Sequence, residues 1–156
     1  KHNGKLEVVS VIGEGTKVIL KVPSVTTPAW FIDEFQISED VSKIVCVDDD
    51  ISFLELYKEK LKSSKKEILT VSENNINKYL NTNDTQFYFD YDLGNNKNGL
   101  DYIEENNLEK KSTLVTSMHQ DQEIQKRCIK LGIRILPKQI FNNSSVNIIK
   151  VENVVK

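Results

Sequence analysis

Short apolar runs alternate with helical patterns along residues 43–138. The apolar runs predict buried strands at 44–47, 68–71, 87–90, 114–117 and 133–136. Between them, residue patterns and propensity predict helices at 52–64, 74–80, 100–106 and 120–131. Strands that alternate with helices imply crossover connections and a parallel sheet covered on both faces. We therefore predict an α/β fold, a doubly wound five-stranded parallel sheet.

The first 42 residues follow a different pattern. Apolar positions alternate with polar ones on both sides of Gly13-Glu14-Gly15-Thr16, which predicts a β-hairpin. The next stretch is turn-rich at first and then apolar, so we expect a linker whose aromatic residues pack on a neighbouring domain. The predicted units are a hairpin (1–23), a linker (24–42), an α/β domain (43–150) and a tail (151–156).

Composition and charge narrow the classes of function. The 156-residue chain has a net charge of -2 at pH 7, which gives no long-range attraction to nucleic acid or acidic membranes. No apolar run is long enough to cross a bilayer, and no signal-peptide pattern is present. Cys46 and Cys128 are expected to be core thiols in a reducing compartment, so we predict a cytoplasmic location.

Polar side chains follow four of the five predicted strands. They are Asp48, Asp49, Asp50, Asp90, Asp92, Thr116, Ser117 and Lys138. The carboxyl ends of parallel strands meet at one edge of the sheet, where ligand sites form. Carboxylates that converge there repel one another, and their hard oxygen atoms suit Mg²⁺. The alternative is that the two carboxylates at 90 and 92 only cap the turn that follows them.

A carboxylate beside Mg²⁺, a hydroxyl and an ammonium group can attack phosphorus. The metal and Lys138 would neutralise charge on the transferring phosphoryl oxygens, and the hydroxyl of Thr116 would hydrogen-bond one of them.

Residues 43–138 resemble the receiver domains of two-component response regulators. The matching motifs are Val47-Asp48-Asp49-Asp50, Phe89-Asp90-Tyr91-Asp92-Leu93 with Gly99, Leu114-Val115-Thr116-Ser117 and Leu136-Pro137-Lys138. The resemblance implies a flavodoxin-like sheet with strand order 2-1-3-4-5. It also implies that a phosphohistidine-bearing kinase or phosphotransfer domain is the partner.

The same resemblance implies a role for each site residue. Asp90 would accept the phosphoryl group and bind Mg²⁺, and Asp49 would be a direct metal ligand. Asp48 would bind Mg²⁺ through water, and Asp92 would offer its backbone carbonyl. Thr116 would be the switch hydroxyl, and the ammonium group of Lys138 would contact the phosphoryl group.

The hairpin resembles the last hairpin of the ATPase domain of sensor histidine kinases. That hairpin carries a G-x-G-T turn, a strand and a proline, as do Gly13-Glu14-Gly15-Thr16 and Pro23 here. Together the two resemblances imply that this chain is the C-terminal part of a hybrid sensor histidine kinase. The whole kinase would be either anchored in a membrane or free. This fragment lacks the ATP-site motifs, so we expect it to be a phosphoacceptor. An unrelated hairpin is the alternative.

Several positions depart from the receiver pattern. The loop from Asp90 to Gly99 is one residue longer than usual, which keeps Asp92 open as the acceptor. Gln139 stands where a proline follows the lysine, and Ile135 stands where an aromatic residue is typical. Polar residues at 142–145 break helix and 146–155 is β-branched, so a full fifth helix is not assured.

Two other functions fit parts of the pattern. A receiver-shaped docking module would need no phosphorylation. A haloacid-dehalogenase-type phosphatase also uses a phospho-aspartate and Mg²⁺, and Asp48-Asp49-Asp50-Ile51-Ser52 fits its first motif. That class needs an acidic pair after the lysine, and only Glu152 lies beyond Lys138.

Overall fold

The central layer is a five-stranded parallel sheet. We describe it from a computed structural model, which covers residues 3–94 and 97–150. The strands are β4 (Lys43–Val47), β5 (Glu67–Val71), β6 (Thr85–Phe89), β7 (Ser112–Thr116) and β8 (Arg134–Pro137). Their order across the sheet is β5-β4-β6-β7-β8, which is 2-1-3-4-5 in chain order within the sheet. The predicted doubly wound fold is confirmed.

Three α-helices connect these strands. They are α1 (Ile51–Leu61), α2 (Gly99–Glu105) and α3 (Gln122–Leu131). Each begins after a residue whose side chain accepts hydrogen bonds from the first turn, namely Asp50, Asn98 and Asp121. Helix α3 ends at Gly132, whose left-handed φ of 70° favours glycine. The caps fix where the chain leaves the carboxyl edge of the sheet.

The helix predicted at 74–80 is a 3-10 helix over Glu73–Lys78 instead. Asparagines at 74, 75 and 77 lower the α-helical propensity of this short segment, because their side chains compete with the backbone for hydrogen bonds. A short helix is therefore present close to the predicted position, and it is a 3-10 helix.

The sheet separates two hydrophobic cores. Helices α2 and α3 cover one face, where Phe87 and Phe89 of β6 stack with ring centroids 5.7 Å apart. Helix α1 covers the other face together with a strand pair that lies outside the main sheet. Every residue of β6 is buried, as expected for the middle strand of a sheet covered on both sides.

The strand pair outside the main sheet is parallel and joins distant parts of the chain. It consists of β3 (Glu34–Ser38) and β9 (Ser145–Ile149). A 3-10 helix over Lys138–Asn143 leads into β9, so residues 139–150 contain no α-helix. The segment predicted as a linker thus contributes a strand to the fold, and the domain boundary at residue 43 stays a prediction.

Side chains from the main sheet satisfy the backbone of β3. The amide of Gln86 donates to Gln36 O at 2.6 Å and accepts from Ser38 N at 2.9 Å. The hydroxyl of Tyr88 donates to the same carbonyl at 3.1 Å. The ring of Phe35, fully buried, packs edge-on against Tyr88 with centroids 5.1 Å apart. Strand β3 is therefore anchored through both polar and apolar contacts.

The predicted hairpin is present as an antiparallel pair, β1 (Lys5–Val11) and β2 (Gly15–Lys21). One of its faces is apolar and the other carries charges. The apolar face consists of Leu6, Val8, Val18, Leu20 and Val22, each between 60% and 68% exposed. No element within residues 3–94 and 97–150 covers this face.

Two further sequence predictions concern burial and membrane segments. Cys46 and Cys128 are buried and free, as predicted. Within the described ranges, no helix is both long and apolar enough to cross a membrane. The predicted tail, 151–156, lies outside the described residues.

Candidate functional site

Asp90 lies directly after β6, where the buried strand reaches the carboxyl edge of the sheet. Its backbone N–H donates to Val47 O at 2.8 Å, which keeps the chain in register with β4 beyond the last strand residue. The residue is only 5% exposed. Its Oδ1 accepts from Tyr91 N at 2.7 Å, and its Oδ2 lies 2.8 Å from Lys138 Nζ. The fold thus holds one carboxylate in a fixed orientation at this edge.

Lys138 also contacts Asp48, so one ammonium group bridges two buried carboxylates. Its Nζ lies 2.8 Å from Asp48 Oδ2. Asp48 Oδ1 accepts from Asp50 N at 3.0 Å. Apart from the ion pair, Asp48 Oδ2 is buried with no hydrogen-bond partner of regular geometry among the described residues. This oxygen has unused capacity for a further electrostatic partner.

Asp49 completes a group of three carboxylates. One oxygen from each of Asp48, Asp49 and Asp90 lies within 4.8 Å of the other two, and Asp49 is the exposed member. A single cation with metal–oxygen distances of about 2.0–2.6 Å can bind oxygens at such separations. The hard oxygen donors and the incompletely satisfied oxygen of Asp48 both fit a small divalent ion such as Mg²⁺.

Burial and neighbouring charges shift the pKa of all three central groups. Burial raises the pKa of Asp90 to about 6, with Asp48 adding to the rise and Lys138 opposing it. Burial likewise raises the pKa of Asp48. Burial disfavours the ammonium form of Lys138, but the two carboxylates outweigh it and raise its pKa. The lysine is therefore charged at neutral pH and partly balances the carboxylates.

Thr116 lies at the end of β7, beside the strand that leads into Lys138. It pairs in register with Pro137 and is only 1% exposed. Its Oγ1 accepts a hydrogen bond from Met118 N at 3.0 Å, which leaves its hydroxyl proton free to donate. The structure thus brings the predicted hydroxyl to the same edge as the carboxylates.

Two glycines shape the loop that follows Asp90. A Cβ at Gly99 would lie 1.9 Å from Asp90 O, so no larger residue fits without moving the backbone. Gly94 has a φ of 76°, and a Cβ there would approach Asp49 Oδ2 to 3.0 Å. Residues 95 and 96 lie outside the described part of the chain.

Asp92 differs from Asp90 in its surroundings. It is exposed, its Oδ1 accepts from Gly94 N at 3.1 Å, and it forms no ion pair with a described residue. Its backbone forms an isolated antiparallel bridge with Asn98. The metal role predicted for its carbonyl stays a prediction, as does the acceptor role left open for its carboxylate.

Phe53 is a neighbour of the site that none of the sequence motifs includes. Its ring centroid lies 4.4 Å from Lys138 Nζ, a cation–π distance. The signal was its place three residues after Asp50, in the first turn of α1 above the carboxyl edge. Lys138 is thus held from three directions, by two carboxylates and one aromatic face.

Comparisons with known proteins show which solved structures this chain resembles in fold. No protein-family model and no curated protein matches the sequence. A response regulator receiver domain from Clostridium thermocellum matches in structure with a TM-score of 0.53 and 22% identity, covering 66% of this chain and 93% of its own. The fold is that of a receiver domain.

Two more solved structures with the receiver fold agree. A CheY-like response regulator receiver domain protein from Methanospirillum hungatei has a TM-score of 0.53 and 21% identity over 63% of this chain and 82% of its own. The non-phosphorylated HemR receiver domain from Leptospira biflexa has a TM-score of 0.53 and 23% identity over 62% and 81%. At such identities the likeness concerns the fold alone.

Proposed function

We propose that this chain is a receiver domain of two-component signalling that accepts a phosphoryl group on Asp90. One observation carries the proposal. A buried carboxylate at the carboxyl end of the central strand lies 2.8 Å from Lys138 Nζ and within a cluster of three carboxylates suited to Mg²⁺. The receiver fold of the solved structures that this chain resembles supports the same function.

The residues present account for each step of an in-line transfer. An oxygen of Asp90 attacks the phosphorus of a phosphohistidine, so an O–P bond forms as the N–P bond breaks and its electron pair returns to the imidazole nitrogen. Lys138 and the hydroxyl of Thr116 stabilise negative charge on the phosphoryl oxygens. Mg²⁺, held by Asp48, Asp49, Asp90 and the carbonyl of Asp92, would neutralise further charge there.

The hairpin supports the further proposal that this chain is part of a hybrid sensor histidine kinase in the cytoplasm. An isolated two-stranded ribbon is marginally stable in water, and the apolar face of this one is uncovered by residues 3–94 and 97–150. Such a ribbon suits the last two strands of a larger sheet. The turn at Gly13-Glu14-Gly15-Thr16 matches the ATPase domain of such kinases in its spacing.

Transfer from a phosphohistidine protein tests the proposal. A radiolabelled phosphotransfer domain is mixed with the chain with Mg²⁺ or with chelator, and the label is located by mass spectrometry. The expected result is Mg²⁺-dependent label on Asp90 that is lost in Asp90→Asn. Asp92→Asn is the matched control, because it removes a carboxylate two residues away that makes no described ion pair.

The other outcomes each contradict the proposal in a different way. Label that persists in Asp90→Asn and disappears in Asp92→Asn would move the acceptor to Asp92. No label on a folded protein, from several donors, would favour the docking module. Release of inorganic phosphate from small phosphate esters would favour a phosphatase.

A further inference from the structure

A cavity lies at the amino edge of the sheet, at the opposite end of β6 from Asp90. It has a volume of about 260 Å³ and is lined in part by Thr85, Ser112 and Arg134, which begin β6, β7 and β8. Strand β6 spans five residues at about 3.3 Å each, so this cavity lies roughly 13–17 Å from the carboxylate cluster. The two places are therefore chemically separate.

The cavity carries an excess of positive charge. Its charged lining residues are Lys110, Lys111, Arg134 and Asp40. Within the described ranges, none of the three cations forms an ion pair with a carboxylate. The lining thus has a formal charge of about +2, which favours an anion.

Two of these cations are held in place by neutral groups. Lys111 Nζ donates to Thr82 O at 2.8 Å and lies 5.7 Å from the ring centroid of Phe87. Arg134 Nη1 donates to the side-chain oxygen of Gln36. Both groups keep further N–H donors, because an ammonium has three and a guanidinium five. Both cationic groups are therefore held in position, and no described carboxylate forms an ion pair with either of them.

A buried hydroxyl at the same cavity has no partner. Ser112 is 8% exposed, and its Oγ is buried without a hydrogen bond to any described residue. Leaving a buried hydroxyl unsatisfied costs free energy that a bound acceptor would recover. Thr113, 2% exposed, adds a second buried residue with a hydroxyl to the lining.

We propose that this cavity binds a phosphate group, either inorganic phosphate or the phosphate of a small monoester. Lysine, arginine and hydroxyl donors are the groups that bind phosphate oxygens in proteins. The volume is below the range of about 300–1,000 Å³ for pockets that take drug-sized ligands, which favours a small anion over a larger ligand. Binding here needs neither Mg²⁺ nor Asp90 and stands apart from the proposed receiver function.

Amide NMR titration with inorganic phosphate tests this proposal. The Asp90→Asn protein is used in chelator, so that neither Mg²⁺ nor the acceptor carboxylate contributes. We expect saturable shifts at Ser112, Thr113 and Arg134, with chloride at equal ionic strength producing none. Tighter binding of glycerol phosphate than of inorganic phosphate identifies a monoester as the ligand; equal or weaker binding identifies the free ion.

Two substitutions locate the binding. Lys110→Gln removes an exposed charge from the lining and should weaken phosphate binding about fivefold, since charged hydrogen bonds at exposed positions contribute around one kcal/mol. Ser112→Ala should weaken binding by a similar factor without lowering the unfolding midpoint of the anion-free protein, because the lost hydroxyl has no partner there. Lys126→Gln on α3 removes the same charge away from the cavity and serves as the control.

Absence of saturable shifts at millimolar phosphate would overturn the proposal. Equal affinity in Lys110→Gln, Ser112→Ala and Lys126→Gln would overturn it as well, because nonspecific attraction to charge would then explain the binding. Either failure leaves phosphoryl transfer to Asp90 untouched, and failure of that transfer leaves this cavity untouched.

Discussion

The Asp90 carboxylate occupies a buried position in which ionisation is costly unless a cation is near. Its pKa rises from an ordinary value of 3.8 to about 6 through burial, although Lys138 lies 2.8 Å away. When the pKa of a carboxyl group is higher in the folded than in the unfolded protein, the fold is more stable with that group protonated than with it ionised. That stabilisation is complete below about pH 4 and is lost as the pH rises through 6.

We predict that Asp90→Asn stabilises the metal-free protein at neutral pH. The shift of about two pKa units corresponds to an upper limit of about 3 kcal/mol. The gain in free energy of unfolding should vanish near pH 4, where Asp90 is protonated. It should increase as the pH rises to 6. Urea unfolding in chelator at several pH values measures it.

Asp92→Asn is the control for this measurement, because Asp92 is exposed and an asparagine can still accept from Gly94 N. It should leave stability nearly unchanged. A metal-free Asp90→Asn protein that is less stable than wild type at pH 7 would show that the ion pair with Lys138 outweighs the cost of burial.

At the level of elements, the strand pair of β3 and β9 lies outside the main sheet. It covers the face of the sheet beside α1, and its strands are more than 100 residues apart in the chain. Phe35 is the centre of the contact, with ring centroids 5.1 Å from Tyr88 and 5.2 Å from Phe141. The 3-10 helix that carries Phe141 begins at Lys138, so the site and the strand pair share one short connection.

We predict that Phe35→Ala destabilises the domain by about 3–5 kcal/mol, the usual cost of truncating a buried phenylalanine. Ile51→Ala is the matched control, because that apolar side chain is 76% exposed and its loss should cost little. Chemical unfolding of both variants measures the difference. A loss below about 1 kcal/mol for Phe35→Ala would mean that β3 is not part of the cooperative core.

At the scale of the whole molecule, most predictions made from the sequence depend on local residue patterns and on one rule of sheet topology. The sheet strands follow from short apolar runs, the hairpin from period-two alternation and the long helices from period-3.6 patterns, all within short windows. The convergence of Asp48, Asp90, Thr116 and Lys138 follows because carboxyl ends of parallel strands share an edge. Both predictions need only the order of the elements and no side-chain contact.

The features that sequence reasoning missed depend on contacts between distant segments. The pairing of β3 with β9 joins two short segments with apolar residues at alternate positions, and neither segment alone specifies its partner. The contact of Phe53 with Lys138 joins two elements that are distant in the chain, and the cavity at Ser112 is lined by residues from several elements. An apolar or charged residue in one window does not specify which distant residue it meets.

Binding of a phosphoryl analogue tests most directly whether Asp90 forms an acyl phosphate in a Mg²⁺-dependent site. Beryllofluoride imitates the phosphoryl group of such a site, and amide NMR reports where the protein responds. We predict Mg²⁺-dependent shifts near Asp49, Thr116 and Lys138 in wild type that vanish in Asp90→Asn. No response in folded wild-type protein, or the same response in Asp90→Asn, would contradict it.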